Sequence, residues 1–322
     1  MTGLKYDPEY AKAIEPFANA PRSNPTTALE MRRGTNAFLR MVLPKPPPDT
    51  KIQETNFLVR SFDGVDIQLR RFATVEQISA STPQPAVLAL HGGGLVAGDV
   101  DMCAGMYGQD ALDGDRPVFA VEYRLPPENV APAAVEDGYA CFKYLLDHAA
   151  ELNIDPHRIA IKGGSAGGAI AVGLVLLARD RELSPQPAKQ ILVYPMLDDR
   201  TTYPADTKFL KLASWSVDKN KLGWGAYLGE DRAGNPDADV SPYAAPARAK
   251  SYKGLPSTYI DVGTLDIFRD EGLEFARRLM VDDVEAEFHL WPGIPHAFEH
   301  VSVGSKWERR AAEARIAALR SF

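Results

Sequence analysis

The chain has 322 residues, 45 % of them hydrophobic and 25 % charged, the balance of a soluble globular protein with one large domain or one domain carrying an appendage. Its formal net charge of −7 argues against a nucleic-acid or anionic-membrane surface, which needs a basic patch. No window comes near the roughly 18 uninterrupted apolar residues of a membrane span.

Met1 to Ala20 lacks the positive prelude and apolar stretch of a signal peptide. Residues 1–50 carry helical patches and the Pro44–Pro48 tract, a stiff connector. Phe57–Arg60 and Val65–Leu69 flank Asp63-Gly64 and predict a hairpin, an antiparallel start to a sheet. Short apolar runs then alternate with helical stretches. Strands are expected at Ala86–Leu90, Val118–Tyr123, Arg158–Ile161, Gln190–Tyr194, Ser257–Val262 and Ala286–Leu290. Their near-continuous apolar character fits a parallel sheet covered on both faces. Val135, Tyr139, Phe142 and Leu146 fall on one helical stripe. Further helices are expected at about 166–180, 270–280 and 306–319. This pattern is a doubly wound α/β sheet. Residues of about 198–249 break the alternation and are too many for a plain loop. That insertion and residues 1–50 are candidates for a cap on a catalytic domain spanning 51–322. The two cysteines, Cys103 and Cys141, have no metal-ligand spacing and read as buried reduced thiols in a cytoplasmic protein.

The strand ending at Ile161 runs into Gly163-Gly164-Ser165-Ala166-Gly167 and then a helix. G-x-S-x-G in a strand–turn–helix setting is a nucleophile elbow: the sharp turn lifts the hydroxyl at a helix N-terminus, and the glycines let strand and helix approach. The competing reading, a glycine-rich turn cradling a phosphate, loses ground to His91-Gly92-Gly93-Gly94 directly after another strand. Three successive glycines free backbone amides to turn toward a developing oxyanion. A serine nucleophile needs a base, and the base an orienting acid. His91 belongs to the glycine loop, His148 and His157 suit the surface, and His289 lies within a strand. His296 stands in the loop past the last strand, where the catalytic groups of open α/β sheets collect; His300 is its rival. Among the acids, Asp266 occupies the loop after the Ser257–Val262 strand, whereas Asp261 is inside that strand and Asp270 and Glu271 suit a helix's first turn. The chain order Ser…Asp…His selects Asp266.

These residues, with Gly98-Asp99, the Tyr123–Glu128 segment, Pro132-Ala133-Ala134, Arg269-Asp270-Glu271, Gly293 and Phe298, resemble the hormone-sensitive-lipase-like branch (family IV) of the α/β hydrolases over about residues 55–320. The resemblance implies an α/β-hydrolase fold with a helical cap. It makes Ser165 the nucleophile, His296 the base and Asp266 its orienter, with the amides of Gly93, Gly94 and Ala166 forming an oxyanion hole. It assigns Tyr123, Arg124 and Glu128 to holding loops, and it implies a homodimer through an edge strand or the cap. Three positions depart from the family: Gly164 replaces Asp or Thr, Leu95 replaces an aromatic, and Pro127 stands where alanine is common.

The expected activity is cleavage of short to medium acyl esters through an acyl-enzyme, with no metal and no organic cofactor. Leu95, Phe209, Leu210 and Trp215 are candidates for the substrate pocket, although the aromatic and aliphatic residues of the insertion equally suit a small core of its own. A lactone, or transfer to an alcohol other than water, would use the same machinery. A peptidase would want a charged anchor, and none is evident. A non-catalytic ligand receptor on this fold would be expected to lack a triad member.

Overall fold

The computed structural model describes residues 3–17, 24–45 and 51–322; Pro46–Pro48 of the expected connector lie outside the described residues. In chain order the strands are β1 Ile52–Arg60, β2 Asp66–Thr74, β3 Gln84–Leu90, β4 Val118–Val121, β5 Ile154–Gly164, β6 Lys189–Val193, β7 Thr258–Gly263 and β8 Ala286–Trp291. The helices are α1 Pro8–Ile14, α2 Ala28–Val42, α3 Val75–Ile78, α4 Val100–Gly114, α5 Ala133–Asp147, α6 Ala149–Leu152, α7 Ala166–Asp180, α8 Val217–Leu228, α9 Arg269–Val281 and α10 Lys306–Arg320.

The strands form one sheet in the order β1-β2-β4-β3-β5-β6-β7-β8. β1 pairs antiparallel with β2, as the Asp63-Gly64 turn demands, and β2 also pairs antiparallel with β4; every later pair is parallel. Alternation along β3 shows how the two faces are filled. Leu88 and Leu90 enter the core with α5, α7 and α9, while Val87 and Ala89 enter a second core with α4 and α10. Successive side chains of a strand point to opposite faces, so a continuous apolar run serves both layers.

β5 and α4 depart from the sequence pattern. β5 begins at Ile154, ahead of the apolar run, and pairs Gln84 with Ile154 across an irregularity. α4 shows little helical periodicity because glycines interrupt it, yet Asp99 caps it by accepting from the Met102 amide at 2.7 Å. One interruption has a packing reason: a Cβ on Gly105 would lie 2.1 Å from the Pro44 carbonyl oxygen. The insertion between β6 and β7 carries α8, whose Trp224, Tyr227 and Leu228 are buried in the main core. No helix of the described residues is long and apolar enough to cross a membrane.

Candidate active site

The parallel strands end along one edge, and the turns that leave them carry the site. Ser165 sits between β5 and α7 at φ +53°, ψ −120°, a region a non-glycine residue occupies only when its surroundings force it. Three backbone bonds do so here. The Ser165 amide donates to the Val193 carbonyl at 2.9 Å, and its carbonyl accepts from Gly168 at 2.9 Å and Met196 at 3.0 Å. The elbow also requires its flanking glycines: a Cβ on Gly163 would stand 2.2 Å from the Gly167 carbonyl oxygen, and one on Gly167 2.1 Å from that of Leu90.

Asp266 follows β7 and is fully buried. Its Oδ1 accepts from the Phe268 amide at 3.0 Å, which leaves Oδ2 aimed at His296 Nδ1, 2.7 Å away. A carboxylate there places the ring proton on Nδ1, so Nε2 is the acceptor. Nε2 lies 2.9 Å from Ser165 Oγ, within reach of the hydroxyl proton. The loops bearing Asp266 and His296 are stitched together, with Leu265 donating to Ile294 at 3.0 Å and Thr264 to Trp291 at 2.9 Å. The Ser214 hydroxyl donates to the His296 carbonyl at 2.7 Å, so the insertion also grips the loop of His296. His300 is not the partner of Ser165.

Across Ser165 runs the turn after β3. Gly93 and Gly94 adopt φ +136° and +63°, and the Gly93 carbonyl accepts from Ala97 at 3.0 Å. Among the described residues neither glycine amide donates to a protein acceptor. Ala166 is the first residue of α7, where amides have no intrahelical partner. His91 supports this turn from below. Its ring stacks on Tyr123 with centroids 4.2 Å apart, and the Tyr123 hydroxyl donates to the His91 carbonyl at 2.6 Å. Burial lowers the His91 imidazole to a pKa of about 4, although its bond to the Gly92 carbonyl pulls the other way. Arg124 is held by Asp137 and Asp63, and Glu128 by Arg32.

A cavity of about 300 Å³ opens beside His296. Tyr10 of α1, Met31 and Phe38 of α2, and Ser214, Trp215 and Lys219 around the start of α8 surround it. Of the four residues expected in a pocket, Trp215 is there. Leu95 and Phe209 are instead buried in the main core, and Leu210 packs against it. The Phe209 ring faces Tyr203 and Arg269.

The frame behind His296 is not evident from motifs. Tyr194 and the imidazole meet in a T-shaped pair, and the Tyr194 hydroxyl donates to Glu299 at 2.6 Å. Arg315 bridges Glu299 and Asp261, both at 2.7 Å. Burial alone would raise the Glu299 carboxyl, but Arg315, His300 and the Tyr194 bond outweigh it and hold it at about 2. One signal was available: Asp261 is an acid inside an apolar strand, and a fully buried acid must be paired.

Residues 87–300 match the profile of a family described as alpha/beta hydrolase fold. Among curated proteins the chain is 35 % identical over 219 residues to "Esterase LipI" of Mycobacterium tuberculosis, covering 66 % of this chain and 65 % of that one. It is 34 % identical over 223 residues to "Carboxylic ester hydrolase LipN" of the same organism, covering 66 % and 57 %. The chain thus spans less than two thirds of the length of these two relatives. Among solved structures it resembles a "Bacterial Heroin Esterase" with a TM-score of 0.88 and 35 % identity, covering 98 % and 97 % of the two chains.

Proposed function

Because the chain belongs to the hormone-sensitive-lipase-like branch of the α/β-hydrolase fold family, we propose that it is a serine carboxylesterase splitting short to medium acyl esters through an acyl-enzyme. The observation that carries this reading is the continuous relay from Asp266 Oδ2 through His296 to Ser165 Oγ, at 2.7 and 2.9 Å, on a strained elbow.

In the first half-reaction Ser165 Oγ attacks the ester carbonyl as His296 Nε2 takes its proton. The carbonyl oxygen gains negative charge opposite the amides of Gly93, Gly94 and Ala166, where each fixed donor is worth roughly 10²–10³ in rate. The imidazolium formed is stabilised by Asp266 and then protonates the departing alkoxide. Water enters, His296 removes its proton, and collapse of the second tetrahedral adduct releases the acid and restores Ser165. The chemistry calls for no metal or organic cofactor. The leaving alcohol must lie near Nε2, which favours the cavity beside His296 and Trp215 as its seat. The residues around that cavity support a cap built from the N-terminal segment 1–50 and the insertion at about 198–249, over a catalytic domain of 51–322. Two buried unpaired cysteines fit a cytoplasmic protein, and the family's habit of pairing suggests a homodimer.

The test is hydrolysis of p-nitrophenyl esters of increasing acyl length by the wild type and Ser165→Ala. The wild type should turn over short esters and the variant should fall by roughly 10⁶-fold or to background. A folded wild type that neither hydrolyses these esters nor takes up a fluorophosphonate would overturn the reading.

A further inference from the structure

The oxyanion turn has handles on its outer side, and a helix from outside the sheet holds them. The Val96 carbonyl accepts from Arg32 Nε at 2.6 Å, and the Gly98 amide donates to Asn36 Oδ1 at 2.9 Å. Arg32 is itself fixed. Its other nitrogens donate to the Pro126 carbonyl at 2.6 Å and, as a fork, to Glu128 at 2.8 and 2.6 Å. Val96 and Ala97 are fully buried against Met31, the residue preceding Arg32.

The same helix faces the cavity. Met31, Gly34, Thr35 and Phe38 border it, at the i, i+3, i+4, i+7 spacing of one stripe, whereas Arg32 and Asn36 are one turn apart on the neighbouring stripe. α2 therefore touches the space for substrate with one stripe and grips the oxyanion turn with the next. Room for slack is small on the turn's other side as well. A Cβ on Gly94 would lie 2.5 Å from the Trp215 ring, and one on Gly223 of α8 would lie 2.3 Å from the Gly94 carbonyl oxygen.

Resting on the esterase reading above, we infer that Arg32 and Asn36 are positioning residues for the oxyanion hole. They hold the 93–98 turn at Val96 and Gly98 so that the Gly93 and Gly94 amides point at the oxyanion. They touch no reacting atom. Their loss leaves ground-state binding intact and weakens stabilisation of the tetrahedral state, since misplacing fixed donors by about 1 Å can cost on the order of 10²-fold.

The experiment compares wild type, Asn36→Leu, Asn36→Asp, Arg32→Ala and Arg32→Lys. Each is assayed with p-nitrophenyl acetate and butyrate, and for inhibition by an alkyl trifluoromethyl ketone, which forms a tetrahedral adduct on serine. Fluorophosphonate labelling run to completion counts the folded sites, so a fraction that fails to fold is divided out. Asn36→Leu and Arg32→Ala should lose about 10- to 100-fold in kcat with KM within about twofold, equally for both esters. Affinity for the ketone should fall in parallel with kcat/KM. Asn36→Asp keeps an acceptor for the Gly98 amide and should recover most of the rate; Arg32→Lys, which lacks the fork, should recover only part. Unchanged kcat per labelled site, a rise in KM alone, or ketone affinity that does not follow kcat/KM would overturn the inference. A wild type that is inert and unlabelled would overturn the esterase reading instead.

Discussion

The ring of Tyr194 meets the imidazole of His296 edge to face, 4.5 Å between centroids, from a backbone held at φ +37°. Ring and hydroxyl divide the labour: the ring walls the base, while the hydroxyl ties β6 to Glu299 and through it to Arg315. Tyr194→Phe keeps the wall and cuts the tie. Stability should drop by about 1.5–3 kcal/mol, the usual worth of a hydrogen bond to a charged group, with kcat within about threefold of wild type. Denaturant titration alongside steady-state kinetics checks both; a large loss of kcat at unchanged stability would contradict the division.

Asp266→Asn alters no volume but offers His296 Nδ1 an amide in place of a carboxylate. Oδ1 keeps an acceptor for the Phe268 amide only if the new nitrogen turns toward the ring, which then forces the proton to Nε2. The base is left in the wrong tautomer, and kcat should fall by about 10⁴-fold, with KM nearly unchanged. A drop of less than tenfold would mean that Asp266 does not orient the base.

The two glycines before the nucleophile should behave oppositely. Gly163→Ala drives a methyl to 2.2 Å from the Gly167 carbonyl oxygen, whereas nothing lies within 4 Å of a Cβ on Gly164. Gly163→Ala should cost about 3 kcal/mol or more, or prevent soluble expression. Gly164→Ala should fold with wild-type stability. Thermal unfolding of the pair decides it.

His91 supplies a pH dependence. In the unfolded chain its imidazole takes a proton near 6.5, but burial under the oxyanion turn delays this to about 4. Between those values the unfolded state binds the proton and the folded state does not, so stability falls as pH falls through this window. The full difference is about 3 kcal/mol below pH 4. In NMR spectra the His91 ring signals should stay those of a neutral imidazole down to pH 5. Titration of the ring near 6.5 in folded protein would refute the account.

Much of this was legible in the sequence, because the elbow, the triple glycine and the loop histidine are dictated by short-range geometry. Ser165 needs glycines two residues away on either side, and an oxyanion turn needs residues that accept positive φ. The doubly wound order was equally plain from apolar runs that fill both faces. Less visible were groups whose partners are remote. Arg32 and Asn36 sit on an amphipathic helix where polar residues usually mean solvent, and only the fold brings them to Val96 and Gly98. The same holds for Arg315, which flanks no motif, and for Glu299, whose place beside Phe298 says nothing of its partners. Leu95 and Phe209 misled because an apolar residue near a site is indistinguishable, one-dimensionally, from one in the core. In the fold the close packing of Gly94 against Trp215 gives the wall to the tryptophan and sends Leu95, at φ +70°, inward.

Arg315, in the last helix, completes the clamp on Asp261 and Glu299 behind the base. In chain order it follows the 93–98 turn, Ser165 and His296. The two buried acids thus depend on a cation supplied by a third element, and without it each would be left as an unpaired buried charge.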